Sequence, residues 1–293
     1  MKKNINFTVL TYIFGPVALY LLISELAMET MDLVWTRFLQ DLIFREAGTA
    51  FSHTALMLWS VLRIVIPAAL GCLPVRRDAQ QESAAFEIAQ KRRKKEIILT
   101  KEELSAAFYG ISDENVRRQT MPLLLCAAAF LSLGMNAFVL RYMPDAAGQM
   151  SAGAIPGPAG MLIQALCYCF FMPYVEETIF RGILYPRLQR QYGITAAVFV
   201  SGLLFGICHG VPVQIVYAFI MGMLFAAGYE AFGRFAVPFA MHGVCNLAVL
   251  SLQWTNRIQA VSDPIWGTAF MGLSACAFLT IYVIIKKNLQ SQR

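Results

Sequence analysis

Charge is scarce in this chain. Only 14% of its 293 residues are Asp, Glu, Lys or Arg, and 58% are hydrophobic, whereas a soluble domain carries about 25% charged residues. That scarcity excludes an ordinary soluble globule and makes the chain a polytopic membrane protein. Histidine is rarer still, with three residues. No His-Glu-x-x-His signature occurs, so that zinc-protease pattern is excluded. The seven cysteines (Cys72, Cys126, Cys167, Cys169, Cys208, Cys245, Cys276) form no Cys-x-x-Cys pair, which excludes a zinc knuckle and a disulfide framework. Most lie in apolar runs and are expected as buried free thiols. No aspartate falls within an expected span, so a paired-aspartate mechanism is excluded. No fixed-period repeat of the kind common in transporters is visible. The formal charge of +6 does not imply nucleic acid. Its one dense basic run, Lys91-Arg92-Arg93-Lys94-Lys95, lies between hydrophobic spans, where it reads as a topology signal and a lipid-headgroup contact.

A spanning helix needs about 20 mostly apolar residues. The sequence offers eight such stretches: Phe7–Leu26, Thr54–Leu73, Pro122–Tyr142, Ala159–Pro186, Thr195–Gly210, Val213–Phe232, Phe235–Trp254 and Ile265–Ile285. The expected fold is therefore all-α, a polytopic membrane protein of about eight transmembrane helices around an intramembrane polar cavity. One integral domain is read in three parts: 1–158 with a basic loop near 74–121, a central 159–254, and a last span with its tail at 255–293. Lys2 and Lys3 precede a long apolar run without a clear cleavage site, which reads as an uncleaved first span. With eight alternating spans, Lys2, Lys3, the 73–121 loop, Arg187, Arg190, Arg234, Lys286, Lys287 and Arg293 share one side. The other keeps mainly Arg37, Arg45, Arg141 and Arg257. Positive charge concentrates inside, so both termini are expected in the cytoplasm, and the style of the sequence points to a bacterial plasma membrane. Leu33–Phe44 is amphipathic and expected along the outer face. Thr100-Lys-Glu-Glu103 reads as a capping box opening a short helix, with a second start at Ser112. Arg63, inside the second span, would snorkel or pair internally.

The segment Met172–Arg187 breaks the apolar pattern. Glu176, Glu177 and Arg181 stand where each charge costs roughly 2.5–3.5 kcal/mol near a bilayer centre. Glu177 and Arg181 are four apart and can pair on one helix face. Glu176 is the odd carboxylate, the starting material for a general base. Two of the three histidines also lie in spans. His242 and Asn246 are four apart and share a face, as are Phe205 and His209. Gly202, Gly206 and Gly210 form a small-xxx-small face that lets a neighbouring helix approach. At 1.5 Å rise per residue, Glu176 lies about 16 Å from Arg187, His209 about 21 Å from Thr195, and His242 and Asn246 about 10 and 16 Å from Phe235. Three helices of alternating direction thus carry polar groups to similar depth, as one cavity requires.

Glu-Glu-x-x-x-Arg, Phe-x-x-x-His and His-x-x-x-Asn, in that order, resemble the three motifs of the CPBP family, the CAAX prenyl protease type 2 and bacteriocin-processing (Abi) intramembrane endopeptidases. The run Gly228-Tyr-Glu-x-x-Gly233 before Pro238 adds to the likeness, which covers roughly 159–252. The resemblance implies an active site within the membrane. Glu176 would activate a water, His209 would help hold it, and His242 with Asn246 would stabilise the oxyanion. Glu177, Arg181 and Phe205 would support that set. Glu176, His209 and His242 could instead ligate zinc, whereas a metal-free glutamate mechanism suits the Asn beside the second His. The sequence leaves both open.

The function expected from these readings is an endopeptidase acting on a peptide or membrane-anchored protein within the lipid bilayer. In a bacterium, where prenylated substrates are not expected, a bacteriocin or signal peptide suits better. A non-catalytic scaffold or self-immunity protein of the same architecture is the alternative.

Overall fold

The computed structural model describes residues 7–41, 49–100, 113–143, 157–210, 212–255, 257 and 260–291. These are all-α, with no strand among the described residues. In chain order the helices are α1 (Phe7–Leu39), α2 (Thr49–Cys72), α3 (Arg76–Thr100), α4 (Glu114–Tyr142), α5 (Gly157–Tyr192), α6 (Ile194–Ile207), α7 (Pro212–Phe232), α8 (Ala236–Trp254) and α9 (Pro264–Ser291). Six of them, α1, α4, α5, α7, α8 and α9, are long and apolar enough to cross a membrane, and a seventh crossing results if α2 and α3 count as one span bent by 68°. The expected eight are not reached by that measure: the second stretch enters the count only together with α3, and α6 is a short apolar helix of 14 residues.

α6 stops where Gly210 takes a positive φ of 75°, a conformation that glycine alone adopts freely. Gly210 therefore ends the helix and does not extend its packing face. Gly202 and Gly206 do form that face: a Cβ on Gly206 would stand 2.6 Å from the Ile215 carbonyl, and one on Gly202 would stand 2.8 Å from the Met223 side chain. Small residues replace the hydrophobic effect as the means of helix association in lipid. Gly206→Ala should consequently lower the unfolding midpoint in detergent, at the about 1–3 kcal/mol typical of overpacking. An unchanged midpoint would remove this contact from the fold.

Over its described part, residues 33–41, the stretch Leu33–Phe44 does not form a separate interfacial helix. The chain runs on helically through a π turn at Trp35–Leu39 to Asp41, with Trp35 stacked on Trp59 of α2 at 5.1 Å. Asp32, just before this stretch, makes a two-point ion pair with Arg63, which is how the charge in the second stretch is met. The capping-box residues Lys101 to Glu103 and Ser112 lie outside the described residues. The next helix begins one residue later, its N-cap Asp113 accepting from the backbone N–H of Asn115 and Val116, as short polar caps do.

α5 is the central element, and its core-facing residues Ile179, Phe180, Ile183, Leu184 and Tyr185 are fully buried. It is also irregular. Pro173 and Pro186 lie inside it, and a proline ring clashes with the carbonyl four residues back. The backbone widens into π turns at Leu166–Phe171 and Thr178–Leu184, which bracket the short regular stretch Met172–Glu177. α8 comes close at this point: a Cβ on Gly243 would stand 2.5 Å from the Cys169 carbonyl, the group displaced by Pro173. The packing that accommodates the proline also brings His242 against α5.

The end of α5 near Arg187 is held by charge. Arg187 bonds Glu82 at 3.0 Å and pairs with Asp78, Arg190 pairs with Glu82, and Tyr12 of α1 donates to Glu82 at 2.7 Å. α3, the basic loop helix, is thereby fixed to the end of α5. Within its basic run Lys91, Arg92 and Arg93 are exposed, and Arg93 reaches the buried Glu230 at 3.5 Å.

Candidate active site

Glu176 and Glu177 leave α5 at adjacent positions, so their side chains diverge, and their surroundings differ accordingly. Glu177 is completely buried. Its Oε1 accepts from Arg181 Nη1 at 3.0 Å and from His242 Nδ1 at 3.0 Å. Arg181 is also fully buried. It donates to the Gly222 carbonyl at 2.6 Å, and its guanidinium sits 4.8 Å from the centre of the Phe205 ring. The Glu177–Arg181 pair foreseen from spacing is present, and it does more than neutralise charge. A carboxylate can only accept, so it fixes the proton of His242 on Nδ1 and turns Nε2 outward, the orientation logic common to catalytic imidazoles.

Nε2 of His242 lies 3.8 Å from Oε2 of Glu176. That carboxylate oxygen is buried and has no hydrogen-bond partner among the described residues. Two hydrogen bonds of about 2.8 Å to one bridging oxygen fit across such a gap. Phe225 of α7, not anticipated from sequence, stacks on the His242 ring at 5.0 Å and 24°, and Phe205 meets it edge-on at 5.7 Å. His209, at the end of α6, donates Nδ1–H to the Phe205 carbonyl at 2.8 Å, which leaves its Nε2 as an acceptor. Asn246 donates one amide hydrogen to the Tyr168 carbonyl at 2.7 Å and keeps the other.

Glu176, His209, His242 and Asn246 all line one cavity of about 630 Å³, together with Phe205, Tyr168 and Arg63. α5, α8 and the turn that follows α6 contribute the four polar groups. Glu177 and Arg181 lie behind the wall. No short-range sequence signal marks Gly222 or Phe225 as parts of this site, because their roles rest on carbonyl direction and ring packing.

Zinc requires at least three protein ligands in a catalytic site. Among the described residues no three His, Cys, Asp or Glu side chains gather as a metal-binding group. The trio Glu176, His209 and His242 does not form such a set, and no chemical step is routed through a metal.

Residues 158–248 match the family model described as type II CAAX prenyl endopeptidase, Rce1-like. The matched segment contains all seven motif residues and agrees with the CPBP resemblance. No curated protein and no solved structure matches the chain.

Proposed function

We propose that this protein is an intramembrane endopeptidase of the CPBP type, cleaving a peptide or membrane-anchored protein with a glutamate-activated water. The observation that carries the reading is the approach of Glu176 Oε2 to His242 Nε2 at 3.8 Å on the wall of a cavity shared with His209 and Asn246. The match to a CAAX-type endopeptidase family over this segment supports the reaction class.

In this mechanism water sits between Glu176 and the cavity imidazoles. Glu176 takes its proton as the oxygen attacks the peptide carbonyl, and His209 Nε2 accepts the second O–H and so sets the angle of attack. The tetrahedral oxyanion faces Asn246 Nδ2–H and His242 Nε2–H. Since Nδ1 already donates to Glu177, donation from Nε2 requires the imidazolium, which the Glu177 carboxylate stabilises. Glu176 then passes its proton to the departing amine. Such preorganised donors act strongly where water is excluded.

The test is turnover of lipidated and unlipidated peptides by the purified protein, with and without a chelator. We expect cleavage whose rate the chelator leaves unchanged. Chelator-sensitive turnover restored by added zinc would overturn the metal-free part. No turnover of any membrane-anchored or free peptide would favour the scaffold or immunity reading.

A further inference from the structure

The cavity extends from the catalytic groups mainly in one direction. On α8 its wall runs from His242 to Gln253, one residue short of the helix end. On α7 it runs from Gln214 to Phe225, and on α5 from Tyr168 to Glu176; α4 contributes Asn136, near its Tyr142 end. None of these helices lends a residue beyond its catalytic level toward the other side. That other side is sealed by the fully buried Glu177, Arg181, Ile183, Leu184 and Tyr185. Below them stands the ion cluster of Arg187, Glu82, Asp78 and Arg190. The sealed end is also a basic one: there Arg93 of α3 reaches Glu230, Glu87 of α3 accepts from the backbone N–H of Phe235 beside Arg234, and Arg187 and Arg190 join the cluster. Positive charge marks the cytoplasmic face.

We propose that the cavity admits its substrate from the non-cytoplasmic face, as an extended peptide segment presented there, and not as a chain end arriving from the cytoplasm. The proposal rests on the protease reading for what happens at Glu176, and on the charge asymmetry for orientation. From His242 to Gln253 the α8 wall spans about 16 Å, the length of about five extended residues. At its outer end the carboxamide oxygen of Gln253 is buried and lacks a hydrogen-bond partner among the described residues, an acceptor suited to a peptide N–H. Arg63, also on the wall, is already matched by Asp32, so the wall sets no demand for an anionic group.

Sidedness can be measured without knowing the substrate. Gln253→Cys and Val249→Cys would each be treated with the membrane-impermeant thiol reagent MTSET in right-side-out and in inverted vesicles, with the wild-type labelling of native cysteines subtracted. A tag after Arg293 would be scored in the same vesicles. The expected result is labelling of at least one position from the outer face, at least tenfold faster than from the cytoplasmic face, with the tag reached only from the cytoplasmic face. Faster labelling from the cytoplasmic face, labelling of neither position in either orientation, or a tag exposed outside would each overturn the proposal. Labelling does not require turnover, so a protein labelled from outside that cleaves nothing fails the protease reading and leaves the access route standing. In a cleaving protein, Gln253→Ala should raise KM severalfold with kcat little changed; equal loss in kcat alone would refute the peptide contact.

Discussion

Glu176→Gln should reduce peptide cleavage by about a hundred- to ten-thousandfold, the contribution of a positioned general base, while the protein folds and expresses as before. The two halves of that expectation have separate causes. Activity falls because an amide cannot take a proton from water. Stability holds because the Glu176 Oε2 atom makes no hydrogen bond among the described residues, so no internal bond is lost with the charge. Steady-state rates on a peptide that the wild type cleaves, together with size-exclusion profiles, decide the matter; full retained activity would remove Glu176 from its role. Glu177→Gln is the internal comparison. Its carboxamide oxygen can still accept from His242 and Arg181, so the loss should be smaller. Equal losses would mean that the two carboxylates act as one coupled unit.

Arg181→Met should be the most damaging substitution to the fold. It removes a fully buried cation that pairs with Glu177, bonds the Gly222 carbonyl and lies over the Phe205 ring. The remaining Glu177 charge would be buried with only His242 to meet it, and breaking one side of a buried pair costs about 3–5 kcal/mol. The thermal midpoint in detergent should fall steeply. The double change Arg181→Met with Glu177→Gln should recover part of that loss, because an unpaired charge is worse than none. A midpoint unchanged by Arg181→Met would show that the pair contributes nothing to stability.

The candidate site was legible from sequence to an unusual degree because membranes make polar residues conspicuous. Glu176, His209, His242 and Asn246 stood out since burying them in lipid without purpose is costly, and spacing alone paired Glu177 with Arg181. What spacing missed was the second bond of Glu177, to His242. That bond crosses from α5 to α8 over 65 positions, and helical periodicity carries no information about such distances. Gly210 was misread as a packing residue for a similar reason: a glycine every four positions looks alike whether it faces a neighbour or ends a helix. Leu33–Phe44 was amphipathic in pattern, yet Asp32 found Arg63 and the described part of the segment, to Asp41, continues α1.

By itself, the sequence determined that the chain lives in a bilayer as helices, and it singled out the few polar side chains that break the apolar pattern. These follow from composition and from a fixed rise per residue, both local properties. Tertiary structure alone decided that Glu177 is held by His242 as well as by Arg181, while Glu176 lines the cavity. It also decided that the cavity runs away from the basic end. Those outcomes depend on how Pro173 widens α5 and how closely Gly243 lets α8 approach, and contacts between distant helices are set by packing, which no single stretch of sequence encodes.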